Sequence, residues 1–478
     1  MLKIKYNILL GLVALATFSS CKKSFLELDP PTSVSPDEAF ATESDMLIAL
    51  RGTYAGLRGA DFFGRTLPVI GDAMADNAYQ ATPNTNRYTV FNRYTWTLAD
   101  ANITGIWTTG YSVILRANNI INNTSLPASA TVDQYKGEAY AIRALSYFQL
   151  VRYFARPYTD NPAALGVPII TVYNPDLRPG RNTVAEVYTQ MVKDLDSAYK
   201  LMAKPSATAA INSSQFSKYA AKGLQAKVYL TMGDNVNAKA AALDVITNSG
   251  FTVVPADGVL AYWNDASYKT NRQETLFEVS SDAVNNLNFD ALSYIYSQYG
   301  NYGDFILTDS AKGLSPLFSA TDARLALYPR LRRRNSATAA FVTAVNKYPA
   351  ILGDRSDTKV LRLSEIYLIA AEASLPGNEP DALTYVNYIT SRRNADPIAS
   401  TGAQLFEDII SERRKELAIE GDRYLDLQRL KRNIDRPADY KPYILSIPYA
   451  DYRRIFPIPQ AELDVNPTIR SQQNTGYN

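Results

Sequence analysis

The chain has 478 residues, with 49 lysines and arginines against 47 acidic residues, one cysteine and no histidine. The absence of histidine excludes Ser-His-Asp and Cys-His catalysis and every zinc site that uses histidine. The balanced charge argues against a general attraction to nucleic acid or anionic lipid, and one cysteine cannot form a disulfide within the chain. Neither a phosphate-binding P-loop nor a dinucleotide glycine pattern is present. Carboxylates, Tyr, Lys and Ser remain for any catalysis.

The first residues have the order of an export signal. Lys3 and Lys5 precede an apolar run at residues 8–16, and two serines then lead into Cys21. The run is shorter than the roughly 20 residues that a membrane-spanning helix needs. We therefore predict a signal peptide at residues 1–20 and a lipid anchor on Cys21. The alternative is an ordinary signal peptide in which Cys21 is incidental.

A proline-containing tether at residues 21–36 is expected to follow, because the residue before a proline avoids helical conformation. Removal of residues 1–20 leaves 47 basic and 47 acidic side chains, since only two lysines and no acids are lost. Apolar periodicity then predicts a series of amphipathic helices. Their predicted ranges are 37–57, 103–122, 134–154 and 184–202.

The last of these helices has the clearest start signal. Thr183 stands in the N-cap position and Glu186 follows three residues later, which predicts a capping box. Further along, two segments share the same spacing of small residues and predict two helix–turn–helix units whose alanines allow close packing. The matching positions are Ala226, Gly233, Ala238 and Val245 in the first, and Ala370, Gly377, Ala382 and Ile389 in the second. The tetratricopeptide repeat, of about 34 residues, has a similar spacing. Chance matching is the alternative.

Three less regular stretches separate the helical blocks, at residues 58–102, 250–358 and 430–478, and a short extended piece is predicted at 275–280. Long loops in a compact protein are usually functional, and aromatic rings with a polar tip suit the faces of sugars. Seven aromatic residues are candidates for ligand stacking: Tyr79, Tyr88, Trp96, Trp263, Tyr296, Tyr299 and Tyr302. Three polar residues are candidates for binding hydroxyl groups: Asn77, Asn301 and Asp304. The alternative for Trp96 and Trp107 is that they pin loops to the helical body.

The carboxylates near the end of the chain allow two interpretations. Glu412, Glu416 and Glu420 lie four residues apart and therefore share one helix face. A glycosidase needs two carboxyl groups about 5–5.5 Å apart, or wider if it inverts. The favoured interpretation is a network of ion pairs with nearby arginines, and the same applies to Glu365 and Glu372. The basic run at residues 330–334 is interpreted as a solvated or partner-facing loop.

Eight segments in order resemble the SusD/RagB family of nutrient-binding outer-membrane lipoproteins of Bacteroidetes. The most specific are "VLRLSEIYLIAAEAS" (360–374) and "ERRKELAIEGDRYLDLQRL" (412–430). The other six lie at residues 25–57, 117–123, 137–158, 181–198, 217–234 and 456–477. The resemblance implies a mainly α-helical fold, in which four tetratricopeptide-like helix pairs pack under a loop-rich region with a few short strands. It also implies one SusD-like domain over 37–478, with an N-terminal part (37–249) and a C-terminal part (250–478).

The same resemblance implies a function without catalysis. Such a protein captures glycan at the cell surface, anchored by lipid in the outer membrane, and delivers it to a SusC-like TonB-dependent transporter. No cofactor and no metal are expected, and nucleic acid is not an expected partner. Two alternatives remain at this point: a surface glycoside hydrolase that uses a carboxylate pair, and a pure scaffold of helical repeats. The sequence leaves open whether starch, pectin, a host glycan, a peptide or another polymer is bound.

Overall fold

The computed structural model describes residues 40–205, 211–264, 270–299, 302–349, 356–375 and 377–477. Eight long helices form the body, and each packs against the next along the chain. They are α1 (Glu43–Leu57), α4 (Ala101–Ile121), α5 (Ala130–Phe154), α6 (Val184–Leu201), α7 (Lys218–Met232), α8 (Asn235–Asn248), α11 (Leu363–Ala373) and α12 (Glu379–Arg392). The four expected helix pairs are therefore α1–α4, α5–α6, α7–α8 and α11–α12, and the mainly α-helical prediction is confirmed.

The helix starts follow local hydrogen-bonding signals. The capping box predicted at α6 is present: the Thr183 hydroxyl accepts from the Glu186 N–H, and the Glu186 carboxylate accepts from the Thr183 N–H at 2.7 Å. Thr42 and Asp45 form a second capping box at the start of α1. In the described part of the chain this helix begins at Glu43, later than the predicted residue 37. Each box satisfies amide groups that the first helical turn leaves without partners.

The two predicted repeat units are neighbouring helix pairs, α7–α8 and α11–α12. Their four alanines and the matching Val245 and Ile389 are fully buried, and α8 also packs on α11. Gly233 ends α7 in the left-handed region at φ +76°, which glycine adopts without steric cost. Small side chains at the crossing points let the helices approach closely, so the repeat prediction is confirmed.

Shorter elements occupy the irregular stretches. The short helices are α2 (Thr66–Ala73), α3 (Thr89–Arg93), α9 (Val259–Asn264), α10 (Leu292–Tyr296), α15 (Gln460–Val465) and α16 (Pro467–Arg470). Two further helices, α13 (Gly402–Glu416) and α14 (Arg423–Arg429), follow α12, and the family-like segment 412–430 covers the end of α13 and all of α14. No helix in the described ranges is both long and apolar enough to cross a bilayer.

Three small antiparallel sheets complete the fold. The largest has the order β1-β3-β5-β4, formed by β1 (Ala78–Gln80), β3 (Phe305–Leu307), β5 (Phe341–Thr343) and β4 (Arg330–Arg332). The segment predicted to be extended is β2 (Thr275–Val279), which pairs with β6 (Thr358–Arg362) at the start of α11. The third sheet joins β7 (Ile434–Asp435) to β8 (Ser446–Ile447). The first two sheets pair strands from segments that are distant in sequence.

Two glycines allow the loop region to meet the C-terminal helices. Gly421 has φ +88°, and a Cβ atom added to Gly71 in α2 would lie 1.9 Å from the Gly421 carbonyl oxygen. The Gly421 N–H also donates to the buried Asp72 carboxylate at 2.9 Å. A side chain at position 71 would therefore separate α2 from the loop before α14.

A buried carboxyl group joins three parts of the helical body. Glu138 of α5 accepts hydrogen bonds from the Tyr54 hydroxyl of α1 at 2.6 Å and from Gln134 at 2.9 Å. The same Tyr54 hydroxyl accepts from the Phe216 N–H at 2.8 Å, just before α7. Burial raises the pKa of Glu138 to about 7, although the two hydrogen bonds favour its ionised form.

We expect Glu138→Gln to change how stability depends on pH. A carboxyl group whose folded pKa lies above the ordinary value of 4.5 stabilises the fold when protonated, and this contribution is lost as pH rises through about 7. The amide stays neutral at every pH, so the unfolding free energy of the variant should not show this loss, which in the wild type begins above the unfolded pKa of 4.5. From pH 5.5 to pH 8.5 the free energy of unfolding of the variant should therefore rise relative to that of the wild type by on the order of 2 kcal/mol.

Denaturant unfolding at the two pH values measures this difference. Asp133→Asn, on the same helix, removes a carboxylate without touching the Tyr54 contact and serves as the control. An equal pH dependence in Glu138→Gln and the wild type would contradict the assignment.

Candidate functional site

Exposed aromatic rings cluster on the loop region between α10 and β3 and just before α10. Phe289 is 58% exposed, Tyr299 is 59% exposed, and Tyr302 is half-buried. Arg87 and Asp290 lie with them. We call these five residues the aromatic loop surface.

Charged groups fix the position of the rings on this surface. The Arg87 guanidinium carbon lies 4.3 Å from the centroid of the Tyr302 ring, within the range of a cation–π contact. The Asp290 carboxylate accepts from Arg87 at 3.1 Å and from Arg65 at 2.6 Å. Tyr294 lies between Phe289 and Tyr302, with ring centroids 5.2 Å and 5.9 Å away. Phe289 and Tyr302 are therefore held by a network rather than by the loop backbone alone.

Tyr88 supports this surface from below and does not belong to it. Its ring is buried, and its hydroxyl accepts from the Arg65 Nε at 2.7 Å and lies 3.0 Å from the Thr66 hydroxyl. The prediction that Tyr88 offers an exposed stacking ring is wrong, because the ring packs against Phe91 in the core. Its role is to orient the arginine that holds Asp290.

Three more of the aromatic candidates lie in the core. Trp96 packs against Phe91 and Phe456, and its indole N–H donates to the Tyr477 hydroxyl at 2.8 Å. Trp263 and Tyr296 are also buried. The expected exposure of Trp96, Trp263 and Tyr296 is therefore wrong, and the alternative in which Trp96 pins a loop to the body describes its contacts.

Two of the polar candidates are likewise occupied within the protein. Asn77 is buried between the Asp72 carboxylate at 3.0 Å and the Arg414 guanidinium at 2.8 Å. Asp304 is buried and accepts from the Thr85 N–H at 3.1 Å and from Arg334 at 3.1 Å. The expectation that these two bind ligand hydroxyl groups is not met. The third polar candidate, Asn301, lies outside the described residues.

Tyr79 has a second, separate position on the largest sheet. It is half-buried on β1, with its ring 5.4 Å from that of Tyr440, and burial, aided by Asp439, raises the pKa of its hydroxyl. In the same sheet Phe341 is 53% exposed under the Arg332 guanidinium, 4.4 Å from the ring centroid. Tyr79, Tyr299 and Tyr302 are thus the predicted aromatic residues that keep accessible ring area.

Sequence reasoning missed Phe289, Arg87 and Asp290. The available signal was a single phenylalanine between polar residues in an irregular stretch, at Asn288–Asp290. Because this segment shows neither helical nor strand periodicity, no sequence pattern predicts that the phenylalanine ring is buried. Nothing in the sequence shows that Arg87, about 200 residues away, would meet this loop.

The carboxylates near the end of the chain form the ion-pair network that the sequence analysis favoured. Glu416 of α13 contacts Arg362 and Arg393 at 2.8 Å each, and Arg324 at 3.0 Å. Burial alone would raise the pKa of Glu416, but Arg393 and Arg362 outweigh it and hold that pKa well below the usual range. Glu420 pairs with Arg362 at 2.8 Å.

The same network accounts for the other acidic residues named from the sequence. Glu412 contacts Arg324 at 2.7 Å, Glu365 contacts Arg413 at 2.7 Å, and Glu372 contacts Arg429. Most partners come from distant segments rather than from the arginines adjacent in sequence. All these carboxylates are held below the surface, so the prediction of a stabilising network is confirmed.

The basic run is only partly solvated. Arg330 is exposed and pairs with Asp309, whereas Arg333 is buried and donates to the Gly303 carbonyl and to Gln298. The interpretation of the whole run as a solvated loop is therefore wrong for Arg333, which holds the loop after α10 in place.

A separate apolar cleft of about 250 Å³ lies between α4 and the segment 168–179. Trp107 is buried at its base, in agreement with the alternative in which it pins a loop to the helical body, and its indole N–H donates to Glu462 at 3.3 Å. The segment exposes three large apolar side chains, including Tyr173 at 61% exposure. We call Val172, Tyr173 and Leu177 the apolar loop patch.

Metal ligands are not gathered anywhere in the described ranges: no group of three or more acidic, cysteine or histidine side chains is arranged to hold an ion.

Comparison with known proteins assigns the class. Residues 24–230 match a family described as "Starch-binding associating with outer membrane", and residues 336–477 match the SusD family. SusD-like protein P2 of Formosa agariphila is 27% identical over 523 aligned positions, covering 99% of this chain and all of that protein.

Solved structures agree. A SusD superfamily protein from Bacteroides thetaiotaomicron is 30% identical with a TM-score of 0.80, covering 91% of this chain and 99% of that one. Another, from Bacteroides vulgatus, is 27% identical with a TM-score of 0.81, covering 92% and 100%. The protein belongs to the SusD/RagB family, as its sequence segments indicated.

Proposed function

We propose that this protein binds oligosaccharide or polysaccharide at the cell surface and passes it to a SusC-like TonB-dependent transporter of the outer membrane. The observation that carries the proposal is the aromatic loop surface, where exposed rings stand beside an arginine and a carboxylate. The description of the matched family as starch-binding and associated with the outer membrane supports the same function.

The chemistry of this surface fits a sugar. The axial C–H groups of a pyranose ring pack on an aromatic face, while its hydroxyl groups need donors and acceptors at the rim. Phe289, Tyr299 and Tyr302 offer faces, and Arg87 and Asp290 offer a donor and an acceptor. Because the two charged groups already pair at 3.1 Å, they are oriented before ligand arrives, which lowers the ordering cost of binding.

Binding without catalysis is the favoured form of this function. The carboxylates that a hydrolase would have used, Glu412, Glu416 and Glu420, are occupied by arginines and lysine in the interior. Asp290, the carboxylate of the aromatic loop surface, is engaged by two arginines.

We expect Tyr302→Ala and Phe289→Ala each to weaken glycan binding, and the double variant to lose most of it. A stacked ring contributes on the order of 1 kcal/mol beyond its buried area, so a single truncation should raise the dissociation constant about fivefold or more. Affinity electrophoresis across a polysaccharide panel identifies the ligand, and calorimetry with its oligosaccharide gives the constants.

Tyr173→Ala is the matched control, because it removes a tyrosine that is about as exposed as Phe289 and lies far from the aromatic loop surface in sequence. Unchanged affinity in the Tyr302 and Phe289 variants would refute the assignment of the site. Reducing ends released over time by the purified wild-type protein would favour the hydrolase alternative instead.

The transporter partner requires a separate contact surface, for which the apolar loop patch is our candidate. Contiguous exposed apolar side chains are unusual on a monomer and commonly mark protein interfaces. Val172 and Tyr173 are each exposed by more than half, and the cleft beside them offers depth for an inserted side chain.

A Val172→Ser, Tyr173→Asp double variant should therefore copurify less transporter, at least about tenfold less, because a buried charge without a partner strongly disfavours an interface. Quantitative pull-down from detergent-solubilised outer membranes measures this loss. Tyr302→Ala should retain the transporter while binding glycan more weakly. An unchanged pull-down by the Val172→Ser, Tyr173→Asp variant would exclude the patch.

Anchoring by lipid on Cys21 completes the proposed function, and this residue lies outside the described ranges. The signal-like residues 1–20 and the single cysteine support it. Cys21→Ser should move the protein from the membrane fraction to the soluble fraction in cells that lack the transporter. A variant that stays in the membrane fraction there would disprove the anchor and leave glycan binding unaffected.

A further inference from the structure

A second concave region, which we call the polar cleft, is lined in part by the segment that precedes the aromatic loop surface in the chain. It measures about 550 Å³, and three segments line it: the outer face of α1, residues 212–215, and residues 278–285. The last segment leads directly to Phe289 and Asp290. A chain-like ligand on the aromatic loop surface could therefore extend into the polar cleft.

The α1 wall presents two arginines along one face. Arg51 and Arg58 are seven residues apart, which is about two helical turns and places them on the same side of the helix. Between them lie Ala55 and Gly52, and a Cβ atom added to Gly52 would meet nothing within 4 Å. The small residues leave room for a ligand to approach the helix between the two guanidinium groups.

Neither arginine is held in a close ion pair, although Asp282 interacts electrostatically with Arg58 across the cleft. Arg58 donates to the Ser280 carbonyl at 3.3 Å, and neither Arg58 nor Arg51 forms an ion pair with any residue in the described ranges. Arg51 is exposed and Arg58 is half-buried, so both guanidinium groups can be reached from the cleft. Their guanidinium groups can form charge-assisted hydrogen bonds with a ligand.

The acidic groups in the cleft are already compensated. Glu278 pairs with Lys359 at 3.1 Å. Asp282 accepts from the Val284 and Asn285 N–H groups at 2.8 Å and 2.7 Å. Its pKa is lowered chiefly by these backbone hydrogen bonds, so it stays ionised and satisfied.

The remaining wall adds neutral hydrogen-bonding groups. Asn212 accepts from the Ser214 hydroxyl at 2.6 Å through its carbonyl oxygen, which leaves its amide N–H groups for a ligand. Gln215 also lines the cleft. Hydroxyl and amide groups around two cations suit a sugar that carries an acidic substituent better than a purely neutral one.

We propose that the polar cleft is a subsite for an anionic group of the glycan, a carboxylate or a sulfate ester, which Arg51 and Arg58 bind. The proposal rests on glycan binding at the aromatic loop surface and specifies its ligand class. Planar guanidinium groups match both anions, because each offers two oxygens to parallel N–H donors.

Calorimetry with three probes tests this subsite on the full-length mature protein: oligogalacturonide, a sulfated galactan oligosaccharide, and its desulfated counterpart. The wild type should bind at least one anionic probe more tightly than the desulfated one. Arg51→Gln, Arg58→Gln together should weaken that anionic probe about tenfold or more and flatten its salt dependence. Binding of the neutral probe should change less than twofold.

Arg178→Gln, which removes the same charge from an exposed loop elsewhere, is the matched control. The two acidic probes distinguish a carboxylate from a sulfate. Preference of the wild type for the neutral probe, or equal anionic binding by the double variant, would overturn the subsite and leave glycan binding standing. Failure of every glycan to bind, with Tyr302→Ala and the wild type indistinguishable, would overturn both proposals.

Discussion

The placement of the loops depends on charges buried beneath them. Glu416 receives Arg324, Arg362 and Arg393, which come from a 3₁₀ turn, the end of β6 and the end of α12, while Glu274 before β2 contacts two of the same arginines. Taking such ions out of water costs several kcal/mol each, and removing one partner of a buried pair typically destabilises a protein by about 3–5 kcal/mol. Each segment is therefore tightly constrained to one position. A loop region fixed in this way can hold exposed rings in a binding geometry without a ligand.

The helical body was predictable from the sequence because the signals that specify a helix lie within the helix and its flanking residues. The alternating apolar steps and the capping box of α6 need no information from the rest of the chain, and its observed range, Val184–Leu201, differs from the prediction by one residue. The repeat spacing around Gly233 was equally local, since the turn and the small contacting residues lie within one helix pair. These features were sufficient for the fold class.

The candidate site was harder to predict because exposure in an irregular segment is decided by distant partners. Tyr296 and Tyr299 lie three residues apart in one tyrosine-rich run, yet the first is buried against Tyr348 and the second faces solvent. From the sequence alone, Trp96 is as suitable for stacking on a sugar as Tyr302. In the structure, however, Tyr477 near the end of the chain covers Trp96. The composition indicated that aromatic side chains would bind the ligand. Only the tertiary contacts showed which of these aromatic residues stay accessible to solvent.

The burial of every tryptophan has a spectroscopic consequence. Trp96, Trp107 and Trp263, the three tryptophans of the chain, are each at most 8% exposed, whereas the proposed glycan contacts are tyrosine and phenylalanine. Indole emission therefore reports on the integrity of the core and is insensitive to a sugar resting on the outer rings. Trp107 differs from the other two tryptophans in its surroundings, because it forms the base of the apolar cleft. A partner protein that filled that cleft would change the environment, and therefore the fluorescence, of this single indole. The chain thus carries an intrinsic fluorescent label for assembly, separate from any signal of glycan binding.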